Sequence, residues 1–588
     1  MTKIGVFINS PISDSEFESI IEPYLKDEHK KIFSNFRHDK IIYVPITKNE
    51  KSDSNLLCRK RINQLSKEFY SRFSNTPLCN EQFNFWTHLR FNSYLQILPY
   101  YEIKAWIDHI ISLTDEIDFV FQGVSSNTYR LIKHDYKRVS FVTKVSRAEK
   151  PVKKTKLILN LLKVLYKGGI GIGVFFRYPK QNLLVSIRGS INKVYCKNGL
   201  VVDDKFMHYI SSQIHVDNYE CLFNSNLYSV KELIRYSNNS VQKKFDVTGE
   251  TILFHALFKY RFYKEIFKAS KFLKNMELKQ NSLLDVILKN NQLGVYTELF
   301  TYWSYFLFFK KRKYKNIILV SEMSPATNSI VRVAKQFGIN TIGIQHGLLN
   351  ENNFAYNYTD KELEMDNPFP DKLVVWGNEE AKFLSKNKSI LKDTVQVLGN
   401  VVLDGLKHLP KRKEDETFTV FFATQPQPIQ SNRMKSMIDF VEAILKFNPK
   451  DIKVIIRLHP REVTNYELYK EQIERLKGYN LQIDKGLELF SQLNIADVVV
   501  TSYSTVSKDA MILRKPIILQ DYSGSDLTGL LKRDVALNAL NENQLFQELN
   551  AIKRGERKIS AEKYQTALSE IYSTLDFNVA ERIVELLK

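Results

Sequence analysis

The chain has 588 residues and a formal net charge of +20, from 85 lysines and arginines against 65 aspartates and glutamates. Hydrophobic residues make up 44% of the sequence, which is enough to fill large cores and excludes an intrinsically disordered or fibrous protein. The positive charge favours anionic partners, such as phosphate esters, acidic glycans, anionic lipids or nucleic acid, without choosing among them.

Four cysteines, Cys58, Cys79, Cys196 and Cys221, have no C-x-x-C spacing. Reduced thiols of a cytoplasmic protein therefore fit better than a disulfide framework or a zinc site. The N-terminal residues lack the regions of a secretory signal, and no apolar run reaches the ~20 residues that a membrane-spanning helix needs.

The N-terminal third predicts a mixed α/β fold. Apolar runs at Ile4–Asn9, Ile41–Ile46 and Asp118–Gln122 are typical of short buried strands, and a small-residue turn after the last one predicts a βα unit. The segment 148–310 is rich in lysine and aromatic residues, and we interpret it as a largely helical insertion with some strand.

From residue 316 onwards, short apolar strands alternate with helical patterns, which is typical of doubly wound parallel sheets. We interpret the polar segment 408–416 as a linker that divides this pattern into two domains. The sequence thus predicts an α/β fold with two Rossmann-like domains facing each other across a cleft. The first spans 1–407 and includes the insertion, and the second spans 417–588.

Polar residues follow several predicted strands, at the ends where parallel sheets bind ligands. Ser502, Ser504 and Thr505 precede a helix, so free N–H groups and hydroxyls there would bind a phosphate, although a simple helix cap explains the same residues. His459 ends another strand just before a proline, close to Arg457, a second candidate for phosphate binding. An imidazole there can donate a charge-assisted hydrogen bond to a departing phosphate, whereas a lone histidine elsewhere is usually structural.

A strand end in the first domain carries Gln345, His346 and Gly347. Glycine lets a ligand approach the backbone, and the histidine is placed to act as a general base. Glu322, at the end of the preceding strand, is a second candidate base, and a turn or a helix-capping acid is the structural alternative for each. Five further residues at strand ends are possible cleft-lining positions, although turns and caps explain them equally well: Gly399, Asn400, Thr424, Gln425 and Asp521.

Five segments taken together resemble those of bacterial glycosyltransferases with two Rossmann domains, the GT-B type: GIQHG, LVVWG, VQVLGNVVLDGL, VIIRLHPRE and VVVTSYSTVSKDAMILRKPII. They are most similar to the capsule and teichoic-acid group, which includes CDP-glycerol glycerophosphotransferases, polysialyltransferases and capsular Kdo transferases. The tail DFNVAERIVELL is similar to that of UDP-GlcNAc 2-epimerases, which share the fold. The resemblance covers about residues 315–588.

This resemblance implies roles for the strand-end residues. His459 and the three hydroxyl residues of the serine segment match positions that bind donor phosphates, and His346 matches the proposed base of the glycerophosphotransferases. Sialyltransferases of the group use an acid from the first domain, which keeps Glu322 as an alternative, but the acidic motif of that branch is missing here. No Asp-x-Asp metal motif occurs either, so we expect neither a metal nor another cofactor.

The sequence therefore predicts a glycosyltransferase, or a related glycerophosphotransferase, with a CMP- or CDP-linked nucleotide-sugar donor. Its acceptor would be a glycan or lipid-linked glycan of a capsule, O-antigen of lipopolysaccharide, or teichoic acid. The charge then indicates a peripheral enzyme on the cytoplasmic face of the inner membrane, with the aromatic run 302–309 beside the basic run 310–313 as one candidate contact. A nucleotide-sugar 2-epimerase is the alternative, and a nucleic-acid-binding protein is a remote one because no recognition module is found.

Overall fold

The computed structural model shows an α/β protein built on three parallel sheets. It describes residues 3–8, 31–35, 42–44, 48–80, 83–113, 117–122, 124, 128, 132, 136, 141–144, 180–186, 191–197, 199–223, 247–276, 283–349, 353–386, 389–410, 417–425, 430–459, 462, 466–484, 489–522, 524 and 526–588. Within this part of the chain, none of the helices combines the length and hydrophobicity that crossing a membrane requires.

The first sheet belongs to an N-terminal unit and has five parallel strands in the order β3-β2-β1-β4-β5. Its elements are β1 (Lys3–Ile8), β2 (Lys31–Ser34), β3 (Ile42–Tyr43), α1 (Lys48–Phe73), α2 (Trp86–Leu113), β4 (Ile117–Gln122) and β5 (Phe141–Lys144). Trp106 of α2 packs edge-on against Phe7 and Phe119 of the sheet, and its indole N–H donates to the Val44 carbonyl. These contacts fix the long helix on the sheet.

The second sheet forms a middle domain, residues 180–410, with seven parallel strands in the order β10-β9-β6-β11-β12-β13-β14. A separate antiparallel hairpin, β7-β8, lies beside it. The strands of this domain are β6 (Asn182–Ser186), β7 (Ile191–Cys196), β8 (Gly199–Asp204), β9 (Tyr219–Phe223), β10 (Val247–Thr248), β11 (Asn316–Val320), β12 (Asn340–Ile344), β13 (Lys372–Val375) and β14 (Val395–Val397). Its α-helices are α3 (Met207–Ser212), α4 (Gly249–Ala256), α5 (Tyr260–Asn275), α6 (Leu283–Asn290), α7 (Gln292–Arg312), α8 (Pro325–Gln336), α9 (Asp360–Met365) and α10 (Asn378–Ser385).

The organisation of the first 407 residues differs from the predicted one. The sequence predicts a single domain with an insertion at 148–310, whereas the structure has one sheet within residues 3–144 and another within 182–397. Strands β6, β9 and β10 fall inside the predicted insertion, whose beginning, up to residue 179, lies outside the described residues. β6 is buried at every position, and a short apolar run without periodicity does not distinguish a buried strand from a helix.

The third sheet forms a C-terminal domain with six parallel strands in the order β17-β16-β15-β18-β19-β20. Its strands are β15 (Phe418–Ala423), β16 (Ile452–Arg457), β17 (Asn480–Asp484), β18 (Val498–Thr501), β19 (Ile517–Leu519) and β20 (Leu537–Asn538). Its helices are α11 (Gln430–Leu445), α12 (Glu467–Glu474), α13 (Phe490–Ile495), α14 (Val506–Ile512), α15 (Glu542–Lys553) and α16 (Ala561–Ile571). The strand order reverses at β15, which makes the carboxyl ends of β15, β16 and β18 a topological switch point, the usual ligand-binding place in such sheets.

The last helix, α17 (Val579–Glu585), leaves the C-terminal domain and packs on the middle one. Val579, Ala580 and Ile583 are buried in the core of the middle domain. Asp404 accepts the backbone N–H groups of Val579 and Ala580 at 3.0 and 2.8 Å, which caps the start of this helix. The chain thus crosses between the two domains twice, so the predicted boundary of 417–588 includes one helix of the middle domain. The predicted α/β fold with two parallel-sheet domains is confirmed for residues 180–588, and the N-terminal sheet is additional to it.

Candidate functional site

Three predicted site segments meet at the switch point of the C-terminal sheet. Ala423, the last residue of β15, lies in register with Arg457 of β16 on one side and with Thr501 of β18 on the other. The residues that follow these three strands therefore leave the sheet at one level. The structure in this way brings together Thr424, the His459 turn and the serine segment, as the sequence predicts.

The His459 turn is fixed by a buried network that sequence reasoning did not find. The backbone N–H of His459 donates to Thr424 Oγ1 at 2.9 Å, and the Thr424 hydroxyl donates to Glu462 Oε2 at 2.5 Å. Tyr469 donates to the other oxygen of Glu462 at 2.8 Å, and the Glu462 N–H donates to the His459 carbonyl at 2.7 Å. Glu462, the glutamate of the sequence HPRE, is the residue from which this network could have been predicted. The network thus fixes the backbone of His459, whose side chain is half-buried.

The serine segment both caps a helix and lines the switch point. Ser502 and Ser504 are buried, and Thr505 is half-buried. Ser504 Oγ accepts the Val506 N–H at 3.3 Å, so the capping alternative describes this residue. The hydroxyl of Ser502 instead lies 3.4 Å from that of Ser436 on α11. The two serines therefore have different local partners.

Arg457 is paired within the sheet. Its guanidinium forms a buried ion pair with Asp484 at the end of the neighbouring strand β17. A guanidinium neutralised in this way is less available to a phosphate than the sequence predicts. Its part in donor binding stays a prediction.

The His346 loop is held by the side chain of Gln345. This buried amide donates to the Gly347 carbonyl at 2.8 Å and accepts the Trp376 N–H, at the end of β13, at 2.8 Å. His346 itself is exposed. Gln345 is therefore a support for the loop, and His346 is the residue of the segment that is open to solvent.

Glu322 lies inside the middle domain and is completely buried. The hydroxyl of Tyr356 donates to its Oε1 at 2.6 Å, whereas its Oε2 has no hydrogen-bond partner among the described residues. Burial raises the pKa of this carboxyl to about 7. Of the two predicted bases, only His346 is open to solvent in this structure.

The remaining predicted cleft residues have mainly structural partners. Gly399 has φ +108, and a Cβ there would lie 2.9 Å from Val579, so this glycine permits α17 to pack closely. The side chain of Asn400 accepts the Val402 N–H and caps the short 3-10 helix Val401–His408. Asp521 accepts the Asp526 N–H at 2.7 Å and braces its own loop.

A second polar cluster lies next to the serine segment, and sequence reasoning did not find it. The hydroxyl of Ser436 donates to Gln520 Oε1 at 2.6 Å, and the Gln520 amide donates to the Tyr522 hydroxyl at 3.1 Å. Tyr522 in turn donates to Asp439 at 2.8 Å.

Gln425, half-buried after β15, has a buried Oε1 without a hydrogen-bond partner among the described residues. Among these same described residues no group of three or more metal-ligating side chains occurs, and the expected independence of metals stays a prediction.

Solved structures with a similar fold include two epimerases and a glycosyltransferase. The UDP-GlcNAc 2-epimerase from Neisseria meningitidis, bound to UDP-GlcNAc, is 11% identical, with a TM-score of 0.44 over 69% of this chain and 99% of that one. The UDP-GlcNAc 2-epimerase from Methanocaldococcus jannaschii is 13% identical, with a TM-score of 0.42 over 69% of this chain and 99% of that one. A glycosyltransferase from Rickettsia africae is 15% identical, with a TM-score of 0.39 over 70% of this chain and 98% of that one. A search of curated proteins finds no match.

Residues 350–588 match the family described as CDP-glycerol:poly(glycerophosphate) glycerophosphotransferase. The match covers under half of the chain. It includes the His459 turn and the serine segment, and it begins just after the His346 loop. Residues 350–588 are therefore similar to the transferase domain of the glycerophosphotransferases.

Proposed function

We propose that the protein transfers a sugar or a glycerophosphoryl group from a CMP- or CDP-linked donor to a bacterial surface polysaccharide. The observation that supports this most directly is that His459 and the serine segment lie at the same switch point of the C-terminal sheet. Both segments belong to the part of the chain that matches the transferase family. A nucleotide diphosphate bound there would face the imidazole of His459 and the hydroxyls of the serine segment.

The proposed reaction divides its tasks between the two domains. The acceptor hydroxyl oxygen bonds to the transferred carbon or phosphorus, and the bond from that atom to the departing nucleotide phosphate breaks. The acceptor proton passes to His346, with Glu322 as the alternative base. His459, with Ser502, Ser504 and Thr505, stabilises the negative charge on the departing phosphate, and one such donor contributes about 10²–10³ in rate.

The full-length protein should consume a donor only when an acceptor is present. We expect CDP-glycerol or a CMP- or CDP-linked sugar to be used with a lipid-linked glycan acceptor, with the product detected by mass spectrometry. UDP- and GDP-linked donors provide the comparison. Failure to consume any donor would overturn the proposal, and formation of the 2-epimer of the sugar from UDP-GlcNAc without an acceptor would identify an epimerase instead.

We also propose that the protein docks on an anionic membrane through α5 and the turn that precedes it. Four aromatic side chains of this segment are exposed, with exposed fractions between 51% and 81%, and we call them the aromatic surface: Phe258, Tyr260, Tyr263 and Phe267. Five exposed lysines surround them: Lys259, Lys264, Lys268, Lys271 and Lys274. Aromatics with a ring of lysines are typical of helices that lie in the headgroup region of anionic bilayers.

The aromatic run at 302–309 has a different role from the one that the sequence suggests. Tyr302, Trp303, Tyr305, Phe306 and Phe308 are all buried in the main hydrophobic core. They hold α7 against the sheet and against α5. The aromatic surface on α5 and its preceding turn, and not this run, is the candidate membrane contact.

The double variant Tyr260→Ser/Phe267→Ser should lose most of its affinity for vesicles that contain phosphatidylglycerol. Each aromatic side chain contributes roughly 1.5–3 kcal/mol when it is buried in an apolar phase, so partitioning should fall by at least about tenfold. Vesicle flotation measures this. Leu540→Ser, an exposed residue of the C-terminal domain, is the matched control and should bind like the wild type. Equal flotation of the double variant and the control would contradict the proposed docking.

A further inference from the structure

A buried ion pair joins the middle and C-terminal domains. Lys508 lies on α14 of the C-terminal domain, and Glu380 lies in the first turn of α10 of the middle domain. Their side chains are 5% and 2% exposed, and the Lys508 Nζ lies 3.9 Å from Glu380 Oε1. Neither residue is among the predicted site residues.

The pair connects the two loops that the proposed reaction uses. On the middle-domain side, the Gln345 amide donates to both Glu380 Oε1, at 3.4 Å, and the Gly347 carbonyl, at 2.8 Å. On the other side, the Lys508 N–H donates to the Thr505 carbonyl at 2.9 Å. The side chains of Gln345, Glu380 and Lys508 therefore connect the loop of His346 to the first turn of α14, which follows the serine segment.

The pair is not fully closed in this structure. A charge-assisted hydrogen bond has an N···O distance of about 2.7–2.9 Å. Glu380 Oε2 and the neighbouring Trp376 Nε1 are buried without hydrogen-bond partners among the described residues. Burial raises the pKa of Glu380 and lowers that of Lys508. At the present separation, the attraction between the two charges therefore does not offset the cost of removing them from water. An approach of about 1 Å would complete the hydrogen bond.

A buried pair of this kind is a poor source of stability. Desolvation of two charges usually costs as much as their attraction returns, and apolar replacements of similar size are often equally stable. The neighbouring pair of Glu379 and Arg533 crosses the same boundary, but Glu379 is 40% exposed. No contact of this second pair with either loop is found among the described residues, which makes it a suitable comparison.

We propose that Glu380 and Lys508 are positioning residues that draw together when the donor binds and set the distance between His346 and the donor phosphate. This inference rests on the proposed function. The bound phosphate at the serine segment would favour approach of the domains, and closure of the pair would carry Gln345, and with it His346, toward the acceptor. Neither residue touches the reacting atoms.

Steady-state kinetics of Glu380→Gln and Lys508→Met test the positioning role. We expect kcat to fall at least about tenfold in each variant, while the donor KM and the affinity for CDP, measured by calorimetry, change less than about twofold. The double variant should be no slower than either single one, because both substitutions remove the same contact. It also leaves no unpaired buried charge, so it keeps the test valid if a single variant folds poorly. Glu379→Gln is the matched control and should keep the wild-type kcat.

Amide hydrogen exchange supplies a readout that a merely structural role would not change. Addition of CDP should slow exchange in the His346 loop of the wild type and of Glu379→Gln, but not of Glu380→Gln or of the double variant. Wild-type kcat in Glu380→Gln, or additive losses in the double variant, would refute the positioning role while leaving the proposed function intact. If the wild type consumes no donor, the proposed function fails and the positioning role fails with it.

Discussion

Replacement of His459 by alanine should lower kcat by about 10²–10³, because the variant loses a donor aimed at charge that develops on the departing phosphate. The loss should appear in kcat and in kcat/KM, since the stabilised charge is largest in the transition state. The fold should be retained. The turn around His459 is held through its backbone N–H and carbonyl, which bond to Thr424 and Glu462 and do not need the imidazole.

The measurement is donor turnover with saturating acceptor, together with a urea unfolding curve for each protein. His408→Ala is the matched control, because His408 is the last residue of a 3-10 helix in the middle domain and belongs to neither loop. We expect this control to keep turnover within about twofold of the wild type. Loss of less than about threefold in His459→Ala, at unchanged stability, would contradict the proposed role of the histidine.

The site segments of the C-terminal domain could be predicted because each follows a mainly apolar strand. The run that ends at Thr501 is buried at every position, and Ser502 is the first residue beyond the edge of the sheet. β16 follows this pattern less strictly, because Lys453 is half-buried and Leu458 separates the strand from His459. In a parallel sheet the carboxyl ends share one edge, so local patterns were sufficient to bring these segments together.

The supporting residues could not be predicted, because their partners are distant in sequence. Glu462 meets Thr424, and Lys508 meets Glu380, only after the sheets have formed. The middle sheet was missed in part for a related reason. A run such as Asn182–Ser186 becomes a strand through its pairing with β9 and β11, and its short apolar pattern fits a buried helix equally well.

Glu322→Gln should make the protein more stable at high pH and leave transfer active. The pKa of the buried carboxyl is about 7, against 4.5 for an ordinary glutamate. Between these values the folded state holds a proton that the unfolded state has released, so the contribution of Glu322 to stability falls as the pH rises from 4.5 through 7. The fall amounts to about 3 kcal/mol, because each pKa unit corresponds to about 1.4 kcal/mol. A glutamine removes this dependence, and its amide oxygen can still accept the Tyr356 hydroxyl.

Urea unfolding of the wild type and of Glu322→Gln between pH 4.5 and 8.5 measures the effect. The free energy of unfolding of the variant, relative to that of the wild type, should rise steadily up to about pH 7 and stay constant above about pH 8. Glu467→Gln, whose side chain is 80% exposed, is the matched control and should follow the wild-type curve. A difference between Glu322→Gln and the wild type that does not vary with pH would contradict the raised pKa. The same variant separates the two proposed bases: activity retained in Glu322→Gln but lost in His346→Ala assigns the acceptor proton to His346, because an amide cannot take it up.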